Sequence, residues 1–329
     1  MSKVRVLLCG TVFGSIYLDG IKNLDNWELC GILSRGSDRS VKISQEMGVP
    51  LYKDVCDVPE GMFDVAFVVI RSGIVGGEGQ KISEKLLDKH INVVQEQPVH
   101  ADEAAVLLKS ALKNNVSYIV NTFYPYMESS TAFHEKLSEI RENNQIISID
   151  GCCSLPVLLP FIDQIGRTAG LLRPWSIENV FSNGACDFVT GKISGIPFSI
   201  RIQGRKSESK NQAFVLNQIN VMTSSGNLIM TDVNDQVIWM KKPYVVEEFI
   251  KNGREDDEKD VYASEMIYDA GTKKYSFLYK NIWPKAVENF LIQNKELILS
   301  RERDIGYMQY YLSVCSFWKE LYKKLEELD

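Results

Sequence analysis

Apolar and polar positions alternate with two different periods along the chain, and the change of period divides it in two. Val4 to Cys9 is a short apolar run that stops at Gly10, and helical spacing follows from Phe13 to about Leu24. Leu29 to Leu33 reads as a second strand, Ser40 to Met47 as a helix and Leu51-Tyr52 as a short third strand. Asp64 to Ile70 is almost continuously apolar, the pattern of a parallel strand covered on both faces. A helix at Gly79–Asp88, a strand at Asn92–Gln95, a helix at Ala101–Asn114 and a strand at Ser117–Asn121 complete the series. Strands alternating with helices predict a doubly wound parallel sheet, an α/β Rossmann domain over residues 1–121.

Residues 122–329 read differently. After a helix near Ser129–Glu142, period-two alternation appears at Gln145–Ile149, Ser176–Phe181, Lys192–Gln203, Ala213–Thr223, Asn227–Thr231 and Val237–Trp239. Gly226-Asn227 and Asn234-Asp235 are turn signals between neighbouring strands. The prediction is an α+β domain with a large, mostly antiparallel sheet and a helix at about Pro156–Gly170 ahead of it. Glu247 to Lys259 is charge-rich and reads as an exposed loop or short helix. Two C-terminal helices follow, Lys285–Leu299 with Pro284 in a first turn and Asp304–Leu328.

A chain of 329 residues exceeds the size at which one core stops growing, which agrees with two domains. The formal net charge of -6 argues against a nucleic-acid-binding surface. No apolar run approaches the length of a membrane span. Lys3 and Arg5 fall inside the first strand with no small-residue cleavage site after them, so a cytoplasmic location is expected. Seven cysteines without framework or metal spacing suit reduced thiols, and the vicinal Cys152-Cys153 pair reads as packing. His90 reads as a helix-end residue and His134 as part of a surface helix. With three histidines far apart, no metal site is expected.

Candidate chemistry starts at the first strand-to-helix turn, Gly10-Thr11-Val12-Phe13-Gly14. One glycine permits the tight turn and the other lets the helix N-terminus approach a pyrophosphate, although Val12 stands where the usual G-x-G-x-x-G has its middle glycine. The loop after the second strand selects the cofactor. Position 34 carries no carboxylate to accept from a ribose 2′-hydroxyl; the stretch is Ser34-Arg35-Gly36-Ser37-Asp38-Arg39. Arg35 can lay its planar fork on a 2′-phosphate, with Ser34 and Ser37 as donors and Arg39 assisting, while Asp38 is expected to cap the next helix. NADPH is therefore the expected cofactor. Arg71-Ser72 follows the fourth strand, at the carboxyl edge where ligands bind, and is expected near the cofactor's ribose or nicotinamide.

The fifth strand ends in Gln95-Glu96-Gln97-Pro98-Val99-His100 and the sixth in Asn121-Thr122-Phe123-Tyr124-Pro125-Tyr126. With the Gly10–Gly14 turn, the Ser34–Ser40 loop and the Arg71-Ser72/Gly76-Gly77 segment, they resemble the glucose–fructose oxidoreductase and inositol dehydrogenase superfamily. Within it, the closer resemblance is to the thiazolinyl imide reductases of siderophore biosynthesis. Sugar and polyol dehydrogenases of the superfamily usually carry Glu-Lys-Pro, where this chain has Glu96-Gln97-Pro98. They also place Asp and His four residues apart on the helix that opens the second domain, where this chain has Asp163 and Arg167. Alcohol oxidation needs a base near neutral pH, and Gln97 cannot titrate.

The resemblance implies reduction of a thiazoline C=N to a thiazolidine, on an intermediate held as a thioester on the carrier domain of a nonribosomal peptide synthetase. It implies Tyr124 as general acid with His100 as assistant or alternative. A phenol with an ordinary pKa near ~10 is protonated at neutral pH, and an imidazole near ~6.5 can donate directly or through water. Glu96 is expected on the hydroxyls of the nicotinamide ribose, with Gln97 beside it. A homodimer built on the second-domain sheet, around Ser194–Gln203, is also implied. Two other functions remain open: a sugar- or polyol-type NADP oxidoreductase, and a non-catalytic NADP-binding regulator.

Overall fold

A computed structural model describes residues 3–70, 78–205, 213–243, 262–300 and 304–328. Packing divides the chain into two compact units, Met1–Met127 with Lys273–Lys323, and Glu128–Thr272 with Lys324–Asp329.

In the first unit the chain runs β1 (Val4–Cys9), α1 (Gly14–Lys22), β2 (Trp27–Leu33), α2 (Asp38–Met47), β3 (Leu51–Tyr52), β4 (Val65–Val68), α3 (Glu78–Asp88), β5 (Asn92–Glu96), α4 (Ala101–Asn114) and β6 (Tyr118–Asn121). All pairings are parallel. The strand order is β3-β2-β1-β4-β5-β6. Strand order therefore reverses between β1 and β4, which opens a ligand crevice at their carboxyl ends. Every residue of β4 is buried, as its apolar run requires.

The second unit contains α5 (Glu128–Arg141), β7 (Ile146–Ser154), α6 (Leu158–Ala169), β8 (Trp175–Ser182), β9 (Cys186–Ile193), β10 (Ile196–Gln203), β11 (Asn217–Thr223), β12 (Gly226–Met230), β13 (Val237–Lys241) and β14 (Ser264–Tyr268). Its eight described strands lie in the order β14-β13-β12-β11-β7-β10-β9-β8. All neighbours are antiparallel except β7 and β10. Helix α6 lies close on β7 because Gly151 has no side chain; a Cβ there would sit 2.4 Å from the Phe161 ring.

Several sequence expectations are corrected. The single strand expected at Lys192–Gln203 is two, turned at Ser194-Gly195, where φ is +51° and +81°. Two residues of positive φ make the tight hairpin whose twist matches its strands. β7 continues through Cys152-Cys153 rather than ending at Ile149, and β14 was not anticipated. The charge-rich Glu247–Lys259 stretch lies outside the described residues.

The C-terminal helices were expected in the second domain, yet residues 273–323 pack with the first unit. Helical turns from Tyr275 lead into α7 (Trp283–Gln293), followed by α8 (Lys295–Leu299) and α9 (Ile305–Glu326). The physical reason is a close helix crossing. Gly20 on α1 leaves no room for a Cβ, which would lie 2.8 Å from both the Pro284 carbonyl oxygen and Val287 Cβ of α7. Asn23 Nδ2 donates to Glu288 across the same seam at 2.6 Å. No described helix is long and apolar enough to cross a membrane.

Candidate active site

At the end of β1 the Gly10 N–H donates to the Leu33 carbonyl at 2.9 Å, and Gly10 itself has φ +91°. A Cβ there would lie 2.5 Å from the Val69 carbonyl oxygen, so only glycine fits between β1 and β4. Thr11 is buried and Val12 is 76% exposed. Phe13 occupies the cap position of α1, no side chain bonds the helix start, and no acidic residue lies in its first turn. Gly14 opens the helix. A carboxylate-free N-terminus beside a forced glycine suits a pyrophosphate.

In the loop after β2, the Ser34 N–H donates to the Tyr52 carbonyl at 3.0 Å. The Arg35 side chain is largely exposed and pairs through Nη2 with Glu78 Oε1, at the start of α3. Glu78 was missed by sequence reasoning, since nothing local to either residue announces the pair. The cap of α2 is Ser37, not Asp38: Ser37 Oγ accepts from the Ser40 N–H at 3.4 Å, and Asp38 falls in the first turn. A hydroxyl lets the backbone leave the extended region at the cap, and the carboxylate is placed to complement the dipole. Arg39 is exposed on α2. Arg71 and Ser72 lie outside the described residues. These side chains fit a dinucleotide: a phosphate seat at α1 and an exposed guanidinium, paired with Glu78, at the edge of β2.

At the end of β5 the Glu96 carboxyl is buried and accepts from the Tyr17 hydroxyl of α1. The phenol oxygen accepts in turn from Asn121 Nδ2 at 2.7 Å. Burial pushes the Glu96 carboxyl up to about 8, with the Tyr17 hydrogen bond acting the other way. Gln97 donates its N–H to the Asn121 carbonyl at 3.2 Å, and its buried Oε1 makes no hydrogen bond among the described residues. Gln95 is absorbed structurally, its Oε1 accepting from Ser83 and Tyr118 at 2.9 Å each. His100 stands at the cap position of α4 without capping it through its side chain; its ring stacks on Trp318 with centroids 4.9 Å apart.

Beyond β6, Asn121 Oδ1 accepts the Phe123 N–H at 2.8 Å. The Tyr124 N–H reaches back to the Thr122 carbonyl at 2.8 Å, and Phe123 has φ +68° and ψ -60°. This is the γ-turn of positive φ, rare and strained for a side-chain-bearing residue. Phe123 packs against Phe13 at 5.4 Å, Trp283 at 5.5 Å and Tyr124 at 6.1 Å between centroids. Tyr124 is buried at 7% exposure. Trp283 and the Tyr279 ring 4.7 Å from it were missed, because the sequence reading assigned their segment to the other domain.

Within the second unit, Asp163 and Arg167 pair at 3.1 Å on α6. His134, expected on a surface helix, instead bonds Gln164 Oε1 at 2.8 Å, and Gln164 Nε2 donates to Ser130 Oγ at 2.6 Å. Burial pushes the His134 imidazole below its ordinary value, with the Gln164 hydrogen bond acting the other way. Its face of α5 turns to α6 rather than to solvent. The described residues hold no cluster able to bind a metal ion, and all seven cysteines are free.

Residues 4–122 match the GFO/IDH/MocA family model, described as an oxidoreductase family with an NAD-binding Rossmann fold. No curated protein matches the sequence. Similar solved structures include KijD10, a 3-ketoreductase from Actinomadura kijaniata in complex with TDP-benzene and NADP, at 12% identity and TM-score 0.70, covering 97% of this chain and 96% of that one. A Gfo/Idh/MocA family oxidoreductase from Vibrio cholerae matches at 10% identity and TM-score 0.68, over 98% and 100% of the two chains. GenD2 from gentamicin A biosynthesis, in complex with NAD, matches at 10% and 0.66, over 98% and 94%. At such identities the likeness to solved structures is one of fold. The match over residues 4–122 supports an NAD(P)-binding Rossmann domain of the oxidoreductase type in that segment, and the solved structures share the fold of the chain.

Proposed function

We propose that the protein is an NADPH-dependent imine reductase that converts a thiazoline to a thiazolidine on a siderophore intermediate tethered to a carrier domain. The observation that carries this reading is the pair of side chains at two adjacent strand ends. After β5 stands Gln97, an amide that neither gives nor takes a proton, while after β6 a strained turn holds the Tyr124 phenol. That suits reduction better than alcohol oxidation, which asks for a base.

Arg35 grips the 2′-phosphate after leaving Glu78, and the α1 N-terminus with Gly10 takes the pyrophosphate. Ser34 supports the 2′-phosphate through its hydroxyl, as does Ser37 alongside its capping bond. When bound, NADPH supplies the hydride to the imine carbon, and the C=N π pair passes to nitrogen. Tyr124 donates the proton that nitrogen then needs, with His100 as its assistant or alternative. Glu96 orients the nicotinamide ribose. The carrier domain of a nonribosomal peptide synthetase is the partner that presents the substrate.

A homodimer through the open sheet face of the second unit belongs to the same proposal. β10 lies between β7 and β9, so it would contribute its face and not its edge. Phe181, Met222, Met240 and Met266 are large exposed apolar residues on strands of this sheet. A monomer by light scattering at micromolar concentration would remove that part.

A second reading, a ketoreductase acting on a nucleotide-linked ketone, draws on the fold shared with KijD10. A C=O bond also needs a proton as hydride arrives, and Tyr124 would serve equally. The test is NADPH consumption with a carrier domain loaded with a thiazolinyl thioester, beside a nucleotide-linked ketosugar. Turnover of the thioester supports imine reduction, and turnover of the sugar alone replaces it with the second reading. Tight NADPH binding with turnover of neither would leave a regulator.

A further inference from the structure

Three polar side chains from three different elements meet in the interior of the first unit, and they are wired in series. Glu96 ends β5, Tyr17 lies in the middle of α1, and Asn121 ends β6. The Tyr17 hydroxyl donates to Glu96, and Asn121 Nδ2 donates to the Tyr17 oxygen at 2.7 Å. The other end of the Asn121 amide is equally committed, since Oδ1 accepts the Phe123 N–H at 2.8 Å. Each group therefore has one direction in which it can bond. An amide turned over would set two acceptors against each other at one end and two donors at the other.

Such a row is costly to bury, and apolar residues of similar size would fill the space without it. Tyr17 is 1% exposed, with its ring 5.6 Å from Phe67 and 6.3 Å from Phe13, so its carbon frame is already packed as a phenylalanine would be. Only the hydroxyl needs another explanation. The far end of the row supplies one, because the Phe123 N–H that Asn121 holds belongs to the strained γ-turn from which Tyr124 emerges.

We infer that Tyr17 is a positioning residue: its hydroxyl ties the Glu96 carboxyl to the Asn121 amide, and through it to the Phe123 turn, so that the carboxyl on the cofactor side and the Tyr124 phenol are set in place together. This deepens the proposed function and rests on its placement of Glu96 and Tyr124. The row gives the turn an anchor that a backbone bond alone would not. Among the described residues, the titratable groups that face Tyr17 are Glu96 from β5 and Tyr126 from the turn after β6, and the one that faces Glu96 is Tyr17.

The test is Tyr17→Phe, read three ways. First, hydrogen exchange in the nucleotide-free protein should show the Phe123 and Tyr124 amides exchanging at least about tenfold faster, the worth of one hydrogen bond. Second, carboxyl carbon NMR of the same protein should show Glu96 titrating at higher pH, because the lost donor favoured its charged form. Third, kcat should fall about tenfold while KM for NADPH changes little, as expected when an aim is lost and a binding pocket kept. If Tyr17 only fills space, its variant will melt a little lower and leave all three unchanged, and the inference fails. Glu96→Gln keeps an acceptor for the phenol, so it should preserve protection at Phe123; loss of protection there would also overturn the wiring. The exchange and NMR readouts need no substrate. They can succeed while the thiazoline assay fails, which would condemn the substrate reading alone.

Discussion

Glu96→Gln should make the nucleotide-free protein more stable, by an amount that grows with pH. Glu96 is buried, and burial lifts its carboxyl from the ordinary 4.5 to about 8 in the folded chain. Between those values the native state keeps a proton that the unfolded chain has released. Stability is therefore greatest below the unfolded pKa and is lost as pH rises towards the folded one. Each pH unit inside that window removes up to about 1.4 kcal/mol, so at about pH 7 the loss is on the order of 3 kcal/mol. That is a large part of the ~5–15 kcal/mol by which a domain is normally stable.

Glutamine has the same shape, stays neutral, and offers Tyr17 an oxygen to donate to. The difference between wild type and variant therefore isolates one ionisation, because every other titrating group, including Asp232 and His134, is common to both. Urea denaturation from about pH 5 to about pH 8 gives the two curves. They should nearly meet at the acid end and diverge steadily towards the alkaline end. Parallel curves would show that Glu96 titrates normally, and the buried-carboxyl argument would be wrong.

Arg35→Ala should weaken NADPH by roughly 1.5–3 kcal/mol, the value of a charge-assisted hydrogen bond, and leave NADH nearly unchanged in a fluorescence titration; equal losses would remove Arg35 from the 2′-phosphate. Glu78→Gln frees the same guanidinium and should tighten NADPH, and no change would mean that the exposed pair does not compete. Tyr124→Phe should lower kcat by about a hundredfold or more without altering NADPH affinity, whereas unaltered turnover would pass the proton to His100, tested by His100→Gln. Gly20→Ala should cost roughly 1–3 kcal/mol in thermal or urea unfolding, because the new methyl meets the α7 backbone and Val287; an unchanged midpoint would mean the crossing can open freely.

The first unit was legible where local pattern suffices. Val4–Cys9, Leu51-Tyr52 and Ala101–Asn114 have the bounds that apolar spacing predicted. What stayed hidden depends on distance along the chain. Arg35 and Glu78 meet through a helix start that no motif marks, and Trp283 reaches Phe13 because Gly20 lets α7 approach. His134 sits on a helix with Glu135, Lys136 and Glu139, so its sequence neighbourhood looks solvated although its own face is packed. The β9–β10 hairpin was read as one strand because its turn uses Ser194, a residue that seldom adopts positive φ. Of the candidate site, the glycine turn and both strand ends could be read directly. The row joining Tyr17, Glu96 and Asn121 could not, since each looks locally like part of an ordinary element.

Backbone strain then separates the structural exceptions from the functional one. Four described residues other than glycine have positive φ: His90, Asn115, Phe123 and Ser194. Asn115 is the left-handed cap of α4, His90 lies just past the end of α3, and Ser194 turns a hairpin. Those are places where a chain must reverse and small or polar side chains tolerate it. Phe123 ends no helix and joins no hairpin, is large and apolar, and sits outside the left-handed helical region with ψ -60°. Such a conformation costs about 1–3 kcal/mol and persists only where its surroundings hold it. Here they do, with an aromatic cage around the ring and the Asn121 amide on its N–H. Relaxing the turn would swing the backbone that carries Tyr124, so the strain is confined to the residue whose conformation decides where the phenol points.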